Sequence, residues 1–239
     1  MTIQGGIGAI PDALATLLDV RPSTPVVQLE ICDRGVTAVT DAGEFQADHV
    51  IVAAPAHVAQ DLLSPNATPA EAELLACTYS ATVNVCLGLR YGYQLPKALR
   101  DVYGFLIPAR EREHIAAVSI ERNKSPDRAK GGELVAVFLS GEAADRLLAT
   151  SDADVLAAVL PELERYLPGV ASAGTMTHLV RWPAAEPRSP VGRARAVAAY
   201  RAAPRPDRRV LLAGDYVALP WTDGAAESGA WAAAEGIGQ

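Results

Sequence analysis

Hydrophobic and polar residues alternate over three short stretches early in the chain, 26–31, 35–40 and 44–47, and the breaks between them hold Asp33-Arg34-Gly35 and Asp41-Ala42-Gly43. Period-two alternation interrupted by such turn residues predicts a small antiparallel meander. The pattern then changes. After His49 the chain runs Val50-Ile51-Val52-Ala53-Ala54-Pro55 without a polar position, as a strand buried on both faces would. Helical spacing is seen at Ile10, Leu14, Leu17 and Leu18, behind the glycine-rich lead-in Gly5-Gly6-Ile7-Gly8; it predicts a short helix ending near Asp19. Two further helices are expected at 56–63 and 69–77.

Alternation returns at 78–89, rich in Val and Thr, and strand patterns at 104–107, 114–120 and 133–139 extend a larger sheet. The charged, glycine-tipped stretch 122–132 reads as an exposed connection. Residues 152–166 place Val155, Val159, Leu160 and Leu163 on one side of a helix, with Ser151 as its N-cap. A strand at 175–182, a proline-punctuated loop at 183–190, a helix over 191–203, a short apolar strand at 209–213 and an alanine-rich helix over 223–237 follow. The mixed order predicts an α+β fold: a mainly antiparallel sheet with flanking helices, and a second sheet assembled from both ends and the region near residue 50.

Composition narrows the function classes. Half of the 239 residues are hydrophobic but only 5% are aromatic, so the core is built from Ala, Val and Leu. A net charge of −7 leaves no basic surplus for neutralising phosphates, which argues against a nucleic-acid partner. No segment approaches the roughly 20 apolar residues of a membrane span and no basic, then apolar, leader opens the chain, so a cytoplasmic protein is expected. Cys32, Cys77 and Cys86 lack disulfide or zinc spacing and read as small buried hydrophobes. The four histidines, His49, His57, His114 and His178, are isolated, with no metal-binding spacing. Arg110-Glu111-Arg112-Glu113 reads as a solvated loop, and no serine occupies a GxSxG elbow. The residues name no catalytic acid, base or nucleophile.

The closing segment carries the most chemistry. Val210-Leu211-Leu212-Ala213 runs as a buried strand into Gly214-Asp215, and after a loop Gly224-Ala225-Ala226 opens a helix free of bulky side chains until Glu227. Such a helix start offers unpaired N–H groups and partial positive charge to a phosphate or to an electron-rich ring. Gly224, Ala225 and Gly229 would admit a flat ligand or another backbone. On the residues alone, a tightly packed surface helix accounts for the segment as simply.

The pattern LLAGD (211–215) followed by TDGAAESGAWAAAE (222–235) resembles the C-terminal flavin-contacting motif of the protoporphyrinogen oxidase, amine oxidase and phytoene desaturase superfamily. Four more segments resemble it in the same order: GGIGAIPDALA (5–15), DHVIVAAPAHVAQDLL (48–63), YGFLIP (103–108) and RWPAAEPRSPVG (181–192). The resemblance implies non-covalent FAD, with Gly214 and Asp215 near the pyrophosphate and ribityl chain and Gly224, Ala225 and Ala226 presenting backbone to the flavin. It places Val27 beside the adenine, Ala53, Ala54 and Pro55 along the nucleotide, and Trp182 near the isoalloxazine. Plain core remains an alternative for Val27, Ala53 and Trp182. By the same resemblance, 1–76 and 174–239 form part of an FAD-binding domain and 77–173 a substrate-binding domain.

Departures from the superfamily set further expectations. Its opening strand–GxGxxG–helix unit, with an acidic residue about twenty positions on, has no counterpart here. Weak FAD binding by this polypeptide alone is therefore expected, with a partner chain supplying that half. On the strand SATVNVCLGL (80–89), Asn84 stands where the superfamily's amine oxidases place a lysine, which favours a porphyrinogen-oxidase-like or desaturase-like activity on an apolar or polycyclic substrate. No cysteine follows Trp182 in the loop that carries the covalent flavin link in monoamine oxidases. Phe105, Leu106 and Ile107 are either substrate-pocket wall or core. Two other readings stay open: a non-catalytic remnant that binds a ligand or protein, and a truncated form of a longer chain.

Overall fold

The structure, a computed structural model, describes residues 3, 5–203 and 208–237. Two compact units divide the chain. One holds the N-terminal residues up to Leu17 together with Ser80–Ala185, and the other holds Leu18–Tyr79 with the segment from Glu186 onward.

The first helix, α1 (Ala9–Ala15), stops short of Asp19 and buries none of its residues. Thr16 ends it by donating its hydroxyl to Ala13 O at 2.7 Å, and Leu17 N–H turns back to Leu14 O. The apolar spacing of Ile10 and Leu14 is thus real, but both side chains are exposed. The expected meander forms as β1 (Val26–Cys32), β2 (Gly35–Thr40) and β3 (Gly43–Ala47), with Cys32 opposite Gly35 and Thr40 opposite Gly43 at its two tight turns. Gly35 is required there, because a Cβ would sit 2.6 Å from Ala47 O.

β4 (Val50–Val52) is shorter than its apolar run, and Ile51 is exposed. It is not buried on both faces as expected, because it belongs to a two-stranded sheet whose other strand is the segment Val210–Leu212. α2 (Ala56–Leu63) turns Ala56, Ala59 and Leu63 into the core. α3 (Pro69–Leu75) starts with a capping box in which Thr68 and Glu71 satisfy each other's backbone N–H groups.

The other unit is a five-stranded sheet. β5 (Tyr79–Leu89), β6 (Gly104–Leu106), β7 (Ile115–Ile120) and, after the single-turn α4 (Glu121–Lys124), β8 (Glu133–Leu139) match the strand pattern. The stretch read as a plain connection instead coils into α4 and a 3-10 turn at Pro126–Ala129. Glu121 causes this, accepting bonds from Ser119 Oγ, Lys124 Nζ and Arg128 Nη1 at 2.6–2.9 Å. α5 (Gly141–Leu147), capped by Ser140, and α7 (Val170–Ala173) lacked a legible signal, whereas α6 (Asp152–Glu164) lies where its periodicity placed it, with Ser151 at its cap. Glu162 of α6 is buried and accepts the backbone N–H groups of Glu113, His114 and Ile115, which fixes the start of β7.

β9 (Gly174–Pro187) continues through Pro183 and Pro187, where a loop was expected. The sheet order β6-β7-β8-β5-β9 puts it at an edge, where a residue without an N–H is tolerated. The second unit then closes with α8 (Arg193–Ala202), β10 (Val210–Leu212) and α9 (Thr222–Ile237). The fold is the mixed α+β class, with antiparallel sheets and flanking helices. Each unit has its own core: one centred on Val83, Val85, Val137 and Leu163, the other on Leu63, Leu74, Leu212 and Tyr216. Among the described residues no helix is long and apolar enough to cross a membrane.

Candidate functional site

The residues singled out after β4 and β10 converge. The two strands are parallel, Val210 opposite Val50 and Leu212 opposite Val52, and Ala213 N–H donates to Val52 O at 3.0 Å. Ala53, Ala54 and Pro55 therefore lie at the same carboxyl edge as Gly214 and Asp215. Parallel strands present that edge to ligands, since the chain turns away there and leaves backbone groups unpaired.

Gly214 has φ +141° and ψ 172°, and a Cβ on it would lie 2.9 Å from the Tyr216 ring. Only glycine fits this turn. Its N–H donates to Ser228 Oγ at 2.9 Å, and the Ser228 proton has Ala225 O at 2.8 Å and Gly214 O at 3.0 Å as acceptors. Ser228 is fully buried and ties α9 to the glycine turn. Sequence reasoning passed over it; a lone serine inside an alanine-rich helix was the available signal. Arg193 was also missed. Its guanidinium donates to Leu74 O at 2.6 Å and Tyr216 O at 2.7 Å, pinning the turn Asp215–Val217 from the other side.

At the start of α9, Gly224 is packed against the backbone of Leu219, which a Cβ would overlap. Ala225 N–H is already committed to Trp221 O at 2.9 Å, so the donors without an intrahelical partner are those that precede it. Gly229, expected to admit a close neighbour, has nothing within 4 Å of a built Cβ. The close approach is therefore confined to Gly224. Beside this turn an open groove of about 660 Å³ is lined by Val191, Gly192, Arg193, Leu219, Pro220 and Gly224 among others.

Exposure removes the plain-core alternative for three residues. Val27 is 66% exposed on the outer strand of the meander, Ala53 is exposed, and Trp182 is 55% exposed. Pro55 and Ala226 are exposed, Ala54, Gly214, Asp215 and Ala225 are half-buried, and Gly224 is buried. Trp182 belongs to the other unit, on β9.

That unit has one open sheet face. On β5, Val83, Val85 and Leu87 are buried against α5 and α6, while Thr82, Asn84, Cys86 and Gly88 are half-exposed on the opposite side. The register sets Asn84 opposite Phe138, Phe138 opposite Ala117 and Ala117 opposite Leu106, a row across four strands. Ser119, Ala136 and Cys86 form the next row. Arg181 of β9 reaches Thr150 O and Asp152 on the covered side, so its neighbour Trp182 points to the open face. Of the three candidate wall residues only Leu106, 81% exposed, lies on this face. Phe105 packs on Tyr166 with ring centroids 5.6 Å apart, and Ile107 is core.

Burial pushes the Asp215 carboxyl above its usual range, while the backbone N–H groups of Tyr216 and Asp215 partly restrain the shift. Burial also raises the Tyr79 phenol, whose oxygen accepts Ala56 N–H at 2.9 Å. For Asp215 the folded-state value exceeds the unfolded one, so the native state holds the extra proton. Its contribution to stability is then full below the ordinary aspartate value of 3.8 and is lost as pH rises through the folded value. Asp215→Asn is expected to flatten that part of the stability–pH curve. Denaturant midpoints of wild type and variant from pH 4 upward test this, and curves that stay parallel would rule it out.

The family described as "Flavin containing amine oxidoreductase" matches residues 1–236. An L-amino acid dehydrogenase from Synechocystis sp. is 26% identical over 185 residues, 76% of this chain and 37% of that protein. Among solved structures, a putative protoporphyrinogen oxidase from Exiguobacterium sp. 255-15 matches with TM-score 0.80 at 23% identity, covering 100% of this chain and 52% of the other. Putrescine oxidase bound to putrescine matches with TM-score 0.77 at 20% identity, covering 98% and 53%. At these identities the structural likeness concerns the fold. The chain spans about half the length of these structures and 37% of the dehydrogenase.

Proposed function

The chain belongs to the flavin containing amine oxidoreductase family, and on that premise we propose that it is one half of an FAD-dependent oxidoreductase of the protoporphyrinogen-oxidase-like or desaturase-like kind. The observation that carries this reading is the meeting, at one carboxyl edge, of the strand ends at Ala53 and Ala213, the side-chain-free turn at Gly214, and Ser228 of α9 bonded to that turn. The residues fit one end of FAD. Gly214 keeps the backbone bare where the ribityl and pyrophosphate region would pass, and the half-buried Asp215 carboxylate would accept hydroxyl donors. The N–H groups at the start of α9 would face the flavin ring edge. Val27 would lie beside the adenine, Ala53, Ala54 and Pro55 along the nucleotide, and Trp182 against the ring system. The partner polypeptide would carry the GxGxxG unit that grips the pyrophosphate, a motif this sequence does not contain.

When bound, FAD supplies the hydride acceptor, so the protein's task is to bind, orient and exclude water rather than to supply an acid–base pair. The open face of the five-stranded sheet suits an apolar or polycyclic substrate. The row of Leu106, Ala117 and Phe138 carries no charge, and Asn84 supplies a polar group without the positive charge of a lysine; in the next row the buried Ser119 is bonded to Glu121. In this reading the substrate-binding domain expected at 77–173 falls in the sheet unit, which also takes the N-terminal residues up to Leu17 and most of β9, and Leu18–Tyr79 with the segment from Glu186 onward act as part of the FAD-binding domain.

Co-expression with flavoprotein halves encoded nearby, followed by native mass spectrometry and a flavin absorbance spectrum, tests the proposal. The expected result is a heteromeric complex carrying one FAD, with weak flavin retention by this chain alone. A stable monomer that forms no complex and ignores added FAD would sink it and favour a non-catalytic binding module.

A further inference from the structure

A second concavity, in the unit built on the five-stranded sheet, is lined by more basic than acidic side chains. It is an open pocket of about 520 Å³, lined by Arg90, Arg100, Arg122, Tyr91, Leu95 and Glu133 among others. Three guanidinium groups and one carboxylate leave a surplus of two positive charges there, on a chain whose net charge is −7.

The local structure holds these groups in place. Asn123 of α4 donates its side-chain amide to Leu99 O at 3.2 Å and Val102 O at 2.8 Å, locking the segment that bears Arg100 to the helix that bears Arg122. Glu133, opposite Leu89 in the β5–β8 register, is 4% exposed, and its Oε2 pairs with Arg122 Nη2 at 2.7 Å. Gly132 brings β8 so close to β5 that a Cβ would lie 2.6 Å from Leu89 O, which sets Glu133 beside the residue that precedes Arg90. Arg122 is thus aimed by a buried carboxylate. Arg90 and Arg100 have no acidic partner among the described residues; their side-chain bonds are long ones, to Ser172 O at 3.4 Å and Leu95 O at 3.5 Å. Neutral carbonyls leave those charges uncompensated, and the concavity gathers them on one side of the unit.

We propose that this pocket binds a small oxyanion, a phosphate or carboxylate group, held by Arg90 and Arg100 with Arg122 as the third, carboxylate-positioned donor. Guanidinium forks match the oxygen spacing of such anions. The site is independent of the flavin reading, because none of its residues takes part in it.

Thermal unfolding of the purified chain in inorganic phosphate and, separately, in citrate, at ionic strength held constant with chloride, tests the proposal. A saturating oxyanion is expected to raise the melting temperature by several degrees. Arg100→Ala should weaken binding by about tenfold or more, and Arg90→Ala with Arg100→Ala should abolish the shift. Arg100→Lys should recover part of it, and Arg110→Ala, at an exposed residue whose partner among the described residues is Glu111, should leave it intact. Which anion acts assigns the group, phosphate or carboxylate. No shift with either anion, or an equal shift in the double variant, overturns the site. Arg90 and Arg100 are exposed, so their removal leaves the fold available for the comparison.

Discussion

Gly224→Ala lowers the stability of its unit by about 1–3 kcal/mol, the range for forcing extra volume into packed surroundings, while Gly229→Ala, further along the same helix, raises it by about 0.5–1 kcal/mol. The two substitutions add the same methyl group to the same helix. At Gly224 the methyl overlaps Leu219 O and lies 2.8 Å from Leu219 N and C. The Leu219 carbonyl cannot swing aside cheaply, because Trp221 N–H holds it at 2.8 Å. At Gly229 there is open space, so the substitution mainly removes backbone freedom from the unfolded chain. Urea denaturation of the three proteins reads both effects, and equal midpoints for Gly224→Ala and wild type would refute the packing argument. Under the proposed function, the same pair would also separate flavin retention in a reconstituted complex: lost with the distorted helix start and kept with Gly229→Ala.

Arg208→Met has a larger effect, about 3–5 kcal/mol, because it strands a buried charge. Glu71 is fully buried; its Oε2 accepts Thr68 N–H at 2.9 Å and Thr68 Oγ at 3.0 Å, while its Oε1 depends on Arg208. Arg208 is itself anchored by its Nε to Val210 O at 3.0 Å, so the pair joins the cap of α3 to β10. Adding Glu71→Gln to Arg208→Met should recover a substantial part of the loss, since a neutral amide keeps the cap geometry without an unpaired charge. If the single variant unfolds at the wild-type urea concentration, the ion pair contributes nothing and the argument fails. Where the single variant is insoluble, solubility of the double variant gives the same answer.

The site was partly legible before any fold was known. Gly214, Asp215 and Gly224 carry a signal because a turn and a helix start restrict residue type locally. Val27, Ala53 and Trp182 could be read as contact or as core, and their exposure removes the core reading alone. Arg193 was not legible, and Ser228 showed only as a lone serine in an alanine-rich helix, because their importance lies in backbone groups twenty-three and fourteen positions away, Tyr216 and Gly214. Glu162 is similar: a glutamate on an amphipathic helix reads as solvated until the backbone of residues 113–115 comes down on it.

What the sequence determined by itself is the local geometry: the meander with its Gly35 and Gly43 turns, the long strand at 79–89, the capped helix after Ser151 and the α+β class they add up to. Periodicity and turn chemistry act over a few residues, so a linear reading captures them. Burial and pairing were decided by tertiary structure alone. The apolar stripe of α1 is exposed, β4 is covered on only part of its surface, and Pro183 and Pro187 lie in a strand because that strand is an edge. The physical reason is the same in each case. Whether a side chain meets water or another segment depends on residues distant in sequence, and no local pattern records where they will be.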